Sequence, residues 1–441
     1  MLEQPPVFGA ELRRSRIAAG LTLTEFAASV HYSKGQVSKV ETGRKKPSVE
    51  FARLCDAALG TGGALTALVP ADGLPLVQPE PGEPGDKAGA KMRRRRLPKG
   101  TVPDTDRVPP NRRQVMAVGA ATVLGLGPAA GSARAVEAPS ALDADSGPVA
   151  SCRALFDQYR HLGQVTAPGV LLPALAEQTR SFRDLADRSG PRTKAALLNL
   201  TSRYAEFAGW MAQEAGDDAA ALRWTEHAVE LADAAGDHDL AAYSLVRRGL
   251  ISYYQGDAAD AIALADSARS TRLPARVRGL ATQQLAQGHA LAGNHSACLR
   301  HLDRARELLA ADRPDPALPV LGASHLPDPI TVITGWCLVD LGRPREAAAL
   351  LDKACVALPP QALRTQARYG VRRALAHTLA GEVEQACSIV RPLLPAAWNS
   401  DSATIRLDLR RLARALGRFR AVPAVAEVSP AITAALHSHA G

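Results

Sequence analysis

Apolar residues recur at helical spacing along two stretches of the chain, residues 8–60 and about 150–420. Gly, Asn and Asp residues, which favour turns, divide both stretches into helix-length segments. In the longer stretch the turn glycines stand 37 to 49 residues apart, at Gly216, Gly256, Gly293, Gly342 and Gly381. The pattern predicts an all-α protein with a small N-terminal helical domain and a larger domain of repeated helical pairs.

Small residues stand at fixed distances from the turn glycines. Seven residues before them lie Gly209, Gly249, Ala286, Gly335 and Ala374, and five residues after them lie Ala221, Ala261, Cys298, Ala347 and Ala386. Helices that cross closely need small side chains where their backbones approach. Over residues 190–395 this arrangement resembles the tetratricopeptide repeat (TPR). The resemblance implies an α-solenoid whose groove binds a peptide, a protein or a small ligand.

The N-terminal stretch predicts a compact module of short helices. Thr22 and Glu25 have the spacing of a capping box, which starts a second helix, and Ser33 is an N-cap for a third helix that ends at Gly43. A basic run, Arg44-Lys45-Lys46, follows directly. A short polar helix after a tight turn, with basic residues at its end, is typical of insertion into the major groove of DNA.

This segment closely resembles the helix-turn-helix of the Cro and phage-repressor type, the XRE family. The residues that carry the resemblance are Leu21-Thr22, Glu25-Phe26-Ala27, Val37-Ser38, Val40-Glu41-Thr42-Gly43 and Pro47-Ser48. It implies a lambda-repressor-like domain over residues 1–69. The family often has Gln where this chain has Leu23, and Gly35 removes one side chain that could read a base. Both departures bear on affinity and sequence preference.

Carried over to this sequence, the resemblance assigns a role to each polar residue of the third helix and its flanks. It places Lys34, Gln36 and Lys39 toward bases, and Ser33, Thr42, Arg44 and Lys46 toward the DNA backbone, with Ser38 and Lys45 in the same DNA-binding set. Arg16 and Glu41 match a structural ion pair of the family, which ties the first helix to the end of the third.

The charge distribution supports a polyanionic partner for the N-terminal end. The chain has a formal net charge of +9, of which +3 lies in residues 1–69, +4 in residues 70–113 and only +2 in residues 114–441. Double-stranded DNA is therefore the predicted partner of the first quarter of the chain. A single small module binds DNA weakly, so a homodimer on two half-sites is expected.

The middle of the chain, residues 70–149, is rich in Pro, Gly and Arg and predicts a flexible linker. It contains an uncharged Ala/Gly-rich segment at 114–133, and residues 112–135 resemble a twin-arginine export signal placed inside the chain. A linker or docking helix and a membrane or export remnant are the two interpretations. The Gly and Ala content disfavours a membrane span, because few large apolar residues offset the free-energy cost of inserting the helix.

The sequence contains no phosphate-binding loop, nucleophile elbow or zinc helix. We therefore expect no enzyme activity and no cofactor. His289, His295, Cys298 and His301 are close in sequence, but Cys298 belongs to the small-residue column, so no metal site is expected. The four tryptophans, Trp210, Trp224, Trp336 and Trp398, are expected in the core. The six cysteines are scattered and no N-terminal signal peptide is evident, which predicts a cytoplasmic protein.

The sequence thus predicts three regions and a tail: a DNA-binding domain at 1–69, the linker at 70–149, a TPR-like domain at 150–425 and a C-terminal tail at 426–441. The favoured function is a sequence-specific transcription regulator whose repeats bind a ligand or protein, or dimerise. The alternative is a TPR-type interaction scaffold, possibly membrane-associated, with a vestigial DNA-binding module.

Overall fold

The computed structural model describes residues 8–69, 147–315, 318–323 and 326–437. These residues form helices and the loops between them, and no strand occurs in these ranges. The protein is all-α, as predicted. The predicted linker, including the segments 114–133 and 112–135, lies outside the described residues except for positions 147–149.

Four helices and a short 3₁₀ turn make up residues 8–69, called here the N-terminal module. The helices are α1 (Phe8–Ala18), α2 (Leu23–Ser29), α3 (Lys34–Glu41) and α4 (Val49–Leu59), and the 3₁₀ turn is Thr66–Leu68. Capping boxes begin α2 at Thr22 and α3 at Ser33. Gly20 and Gly43 take positive φ after α1 and α3, where other residues would be strained.

The C-terminal region, residues 147–437, contains two leading helices, five helical pairs and three closing helices. The leading helices are α5 (Pro148–Leu162) and α6 (Pro168–Asp187). The pairs are α7 (Pro191–Ala215) with α8 (Asp218–Ala234), α9 (Asp239–Tyr254) with α10 (Ala258–Ser267), α11 (Ala275–Leu291) with α12 (His295–Ala310), α13 (Pro329–Asp340) with α14 (Pro344–Val356), and α15 (Leu363–Leu379) with α16 (Val383–Val390). The predicted turn glycine joins the two helices of every pair, with φ between 72° and 90°.

The small-residue columns lie where the helices of a pair cross. A Cβ added to Gly209 would lie 3.2 Å from the carbonyl oxygen of Ala221, and one added to Gly249 would lie 3.4 Å from that of Ala261. At Gly335 the Cβ would instead meet the side chain of Leu351. The two helices of a pair approach closely at Gly209 and Gly249 because a glycine faces an alanine there, and such small residues formed the columns in the sequence.

Three helices follow the pairs: α17 (Leu394–Ser400), α18 (Ala403–Leu416) and α19 (Pro423–His437). The segment predicted as a tail from residue 426 therefore differs from expectation, since most of it is helical. Val425, Val428, Ile432 and Ala435 recur on one side of α19 and are buried. Within the described parts of the chain, no helix has both the length and the apolar character needed to cross a membrane.

The N-terminal module and the end of the C-terminal region share one hydrophobic core. Phe26, Val37 and Phe51 of the module belong to the same cluster of buried side chains as Leu375 and Leu412. A large apolar contact of this kind excludes water from both partners and holds them together. The sequence pattern gave no indication of it.

Candidate nucleic-acid interface

Close crossing of α1 and α3 fixes the position of the third helix in the N-terminal module. Gly9 lies against the carbonyl oxygens of Val40 and Glu41, and a Cβ at this position would clash with both. Phe26 and Ala27 of α2 and Val37 of α3 are buried between the helices. One side of α3 therefore packs against α1 and α2, and the opposite side faces outward.

The ion pair expected between Arg16 and Glu41 is present in the structure. Nε of Arg16 donates to Oε1 of Glu41 at 2.7 Å and Nη2 donates to Oε2 at 3.1 Å, while Nη1 donates to the carbonyl oxygen of Leu21. The hydrogen bond to Glu41 raises the pKa of Arg16. The two hydrogen bonds hold the guanidinium plane of Arg16 against the carboxylate of Glu41. The ion pair therefore anchors the C-terminal end of α3 to α1.

Five cationic side chains on α3 and directly after it are exposed. They are Lys34, Lys39, Arg44, Lys45 and Lys46, called here the basic surface. None of them forms an ion pair with another residue that the structure describes. Cations left without an internal partner are available to phosphate groups.

The polar residues predicted on α3 differ in what they already bind. Oε1 of Gln36 accepts from the backbone N–H of Ser33 at 3.2 Å, and Oγ of Ser33 accepts from the N–H of Gln36 at 3.2 Å. The hydroxyl of Thr42 donates to the carbonyl oxygen of Ser38 at 2.8 Å. Gln36 thus stabilises the start of the helix, whereas the hydroxyl proton of Ser33 stays free to donate.

Leu23, where related sequences often have Gln, is half-buried and packs against the core of the module. Gly35 is exposed, and a Cβ added there would meet open space. Neither departure disturbs the position of α3.

Three successive turns of the helical pairs contact the module. A Cβ on Gly63 would lie 2.7 Å from the carbonyl oxygen of Ala292, next to the turn glycine Gly293. Gly342 lies against the carbonyl of Arg53, and a Cβ on Gly381 would lie 3.1 Å from Nδ1 of His31. The turn glycines therefore serve two purposes: they allow positive φ and they let another segment approach the turn.

A buried cluster of charges around Asp340 joins the module to the C-terminal region. Oδ1 of Asp340 accepts from Arg53 of α4 at 3.0 Å and from Arg411 of α18 at 3.0 Å. Its other oxygen accepts from the hydroxyl of Tyr253, which in turn accepts from Nε1 of Trp336. Burial raises the pKa of Asp340, but the charges of Arg411 and Arg53 outweigh it and hold the pKa below its ordinary value.

His31, at the turn between α2 and α3, lies at the edge of this contact. Its Nε2 is 3.2 Å from Nη2 of Arg345, which can only donate, so His31 accepts there as a neutral ring. Burial and the charges of Arg345 and Arg418 lower the pKa of His31, against an opposing effect of Glu382. His31 has a φ of 54°, an unusual backbone conformation for a residue other than glycine.

A groove of about 650 Å³ runs along the inner side of the C-terminal region. Its walls come mainly from α5 and from the first helix of each pair, and we call it the central groove. The aromatic residues on its walls include Phe207, Trp210, Tyr254 and Trp336. Six arginines also line it: Arg160, Arg203, Arg247, Arg276, Arg306 and Arg368.

Contacts join the last pair to the first pair and to the turn after α5, next to the lining residues Gln164, Thr365 and Arg368. Arg364 of α15 donates to Glu214 of α7 at 3.1 Å and to the carbonyl oxygen of Gly163 at 2.7 Å. Burial raises the pKa of Glu214, but Arg368 and Arg364 bring it down to about 2. Glu214 therefore remains charged and pins α7 to α15.

The tryptophans and the histidine cluster lie in several different environments. Trp224 and Trp336 are buried as expected, although Trp336 also lines the central groove. Trp210 is half-buried and lines the same groove, and Trp398 is 43% exposed, so its predicted core position is wrong. The rings of His289 and His301 stack, while Cys298 is buried at a helix crossing. Among the residues that the structure describes, no three His, Cys, Asp or Glu side chains come together as metal ligands.

Comparison with known proteins identifies one part of the chain. Residues 7–69 match a family model described as a helix-turn-helix domain. No curated protein and no solved structure is significantly similar to the chain. The N-terminal module is therefore a helix-turn-helix domain, which indicates a DNA-binding regulator.

Proposed function

We propose that the protein is a sequence-specific transcription regulator of the Cro and phage-repressor (XRE) type, which binds double-stranded DNA as a homodimer. The exposed basic surface on α3 and its flank is the observation that carries this proposal. In this arrangement α3 enters the major groove, where Lys34 and Lys39 contact base edges. Ser33, Thr42, Arg44, Lys45 and Lys46 contact the DNA backbone.

Gln36 and Ser38 have different places in this proposal. Both are half-buried, and the side chain of Gln36 is bonded to the start of its own helix. Gln36 reads a base only if it leaves the capping box, so its contribution to sequence preference is smaller than that of Lys34 or Lys39. Ser38 lies between Lys34 and Lys39 on α3 and contacts DNA through its hydroxyl.

The C-terminal region, with its TPR-like pairs, acts in this proposal as the regulatory domain. Trp336 lines the central groove and is connected through Tyr253 and Asp340 to Arg53 of α4. A ligand that moves Trp336 changes the hydrogen bonds that hold the module. Regulation then follows from a shift between two orientations of the module, each with its own DNA affinity.

Binding to the promoter region of the protein's own gene tests the DNA-binding part of the proposal. We expect the double variant Lys39→Ala, Arg44→Ala to lower affinity at least tenfold in a gel-shift titration, because it removes one base contact and one phosphate contact. Arg192→Ala, Lys353→Ala is the matched control, since it removes two exposed cations from the C-terminal region. Equal affinity of the two variants would reject DNA reading by α3 and favour the scaffold alternative.

The homodimer is tested with half-sites at different separations. A symmetric pair of modules favours half-sites one helical turn of DNA apart, about 34 Å from centre to centre, or a multiple of this distance. Affinity that does not depend on the separation would contradict a dimer that reads two half-sites.

A further inference from the structure

The central groove contains buried polar groups that have no partner in the structure. Gln284 and Gln287 of α11 are each 2% exposed, and the Nε2 of both lacks a hydrogen-bond partner among the described residues. Nε and Nη1 of the buried Arg203 and Nε of Arg368 also lack a hydrogen-bond partner among the described residues. A buried polar group without a partner costs about 1 to 3 kcal/mol, so a ligand that pairs with such a cluster gains free energy on binding in the groove.

Most of the unpaired atoms are hydrogen-bond donors. The exception among the buried atoms of the described lining residues is Oε1 of Gln283, and rotating its amide end would offer a donor in that place. A ligand that presents several acceptor oxygens therefore matches these donors.

The unpaired arginine nitrogens of the groove favour an anion. The lining contains six arginines and two acidic residues, Glu206 and Asp328, whose carboxylates are already engaged. Asp237, Asp312, Asp303 and Glu214 pair with Arg203, Arg276, Arg306 and Arg368 from outside the lining, but Nε and Nη1 of Arg203 remain unpaired. Glu206 lies 3.6 Å from Nε of Arg247 and accepts from the hydroxyl of Tyr243 at 3.4 Å, while Asp328 caps the start of α13 through the N–H of Thr331.

Two of the arginines serve the wall of the groove instead of a ligand. Arg160 donates to the carbonyl oxygens of Val320 and Gly322, and Arg276 donates to those of Leu321 and Ala323. They hold the loop before α13 at the rim. Arg203, with Nη2 bound to Asp237 at 2.8 Å and its other nitrogens unpaired, is the arginine best placed to bind an anion.

The size of the groove limits the ligand. About 650 Å³ falls within the range of sites for small molecules. The aromatic walls formed by Phe207, Trp210 and Trp336 favour a flat apolar part.

From these observations we infer that the central groove binds a small organic anion, a planar apolar group that carries a carboxylate or a phosphate, with the acceptor oxygens on Arg203, Gln284 and Gln287. This inference names the class of ligand that the proposed regulator binds. It rests on the proposed function only in treating that ligand as a regulator of DNA binding. Binding of the anion is measurable without DNA.

The test uses four probes with the full-length chain: phenylacetate, phenyl phosphate, their neutral counterpart phenylacetamide, and inorganic phosphate. Binding is followed by titration calorimetry and by the fluorescence of Trp210 and Trp336. We expect at least one aromatic anion to bind tenfold or more tightly than both phenylacetamide and inorganic phosphate. If phenylacetate binds more tightly, the carboxylate is the recognised group; if phenyl phosphate binds more tightly, it is the phosphate.

Two variants locate the site. Gln284→Met and Gln287→Met keep the side-chain volume but remove the unpaired donor, so each should weaken binding of the aromatic anion about tenfold, since a hydrogen bond to a charged acceptor is among the stronger ones. Neither substitution should lower the melting temperature. The amide nitrogen that each removes makes no hydrogen bond with the described residues, so no protein group loses its partner. Gln385→Met, an exposed position on α16 away from the groove, is the matched control.

Three outcomes would overturn the inference: equal binding of the anions and phenylacetamide, no binding of either anion at millimolar concentration, or unchanged affinity in both glutamine variants. The variant Lys39→Ala, Arg44→Ala should bind the probes as the unmodified chain does, and loss of binding in it would place the anion on the basic surface instead. Failure of probe binding together with intact promoter binding would reject the ligand class and leave the DNA-binding proposal standing.

Discussion

The two sides of the N-terminal module use charge in opposite ways. On the side of α3, five cations are exposed and form no ion pair with the residues that the structure describes. On the side of α4, Arg53 and Glu50 are paired with Asp340 and Arg411 across the contact with the C-terminal region. The exposed side is suited to an external polyanion, whereas the paired side fixes the orientation in which that surface is presented. A regulator needs both.

Breaking the Asp340 cluster should have the largest effect. Asp340→Ala leaves the guanidinium groups of Arg53 and Arg411 without their buried partner, which typically costs about 3 to 5 kcal/mol in the free energy of unfolding. Chemical denaturation measures this loss. Glu346→Ala is the control, since its pair with Arg343 is exposed and contributes well under about 1 kcal/mol. A similar loss in both variants would mean that the cluster does not hold the module.

A methyl group at the turn that contacts α4 should have the next largest effect. Gly342→Ala and Gly256→Ala both place alanine at positive φ, 72° and 82°, which costs about 1 kcal/mol or more in each. Only Gly342 also faces the carbonyl of Arg53, whereas the space around Gly256 is open. We expect Gly342→Ala to melt at a clearly lower temperature, and equal melting temperatures would show that the close approach is not needed.

The exposed side should respond to salt, and the paired side should not. Log affinity for DNA falls with log salt concentration by about 0.9 for each phosphate contact. Arg44→Ala, Lys46→Ala should therefore reduce this slope by nearly two when promoter binding is measured by fluorescence anisotropy. Lys353→Ala serves as a control that should keep the slope, and an unchanged slope in the double variant would remove Arg44 and Lys46 from the phosphate contacts.

The smallest effect is a pH dependence of the contact at His31. The pKa of His31 is lowered in the folded protein, so protonation opposes folding: its contribution to stability is complete above the ordinary pKa of 6.5 and is lost as pH falls through the lowered value. The charged groups that face it are Arg345, Arg418 and Glu382. His31→Gln should therefore lose less stability between pH 7 and pH 5 than the unmodified chain, and parallel profiles would contradict this role.

The sequence predicted those features that depend on residues near each other in the chain. The capping box at Thr22 and the N-cap at Ser33 depend on residues three positions apart, and the small-residue columns repeat within one helical pair. The sequence did not predict that Gln36 completes a second capping box at Ser33. The contact of Arg53 with Asp340 joins residues 287 positions apart, and no local pattern reports such a pairing.

The central groove was predicted only in outline, because a wall residue and a core residue look alike in sequence. Trp210 is half-buried and Trp336 is buried; both have apolar neighbours at helical spacing, and both also line the groove. The unpaired amides of Gln284 and Gln287 also gave no signal, since glutamine within a helix usually faces solvent.

The three turn contacts at Gly293, Gly342 and Gly381 have a mechanical consequence. They belong to three successive helical pairs, so a small change in the twist between neighbouring pairs displaces the three supports by unequal amounts. A rigid module resting on all of them must tilt, and α3 tilts with it. In the proposed homodimer, a tilt of each module alters the angle and the separation of the two α3 helices. The half-site spacing that the dimer binds best would therefore report the twist between the helical pairs.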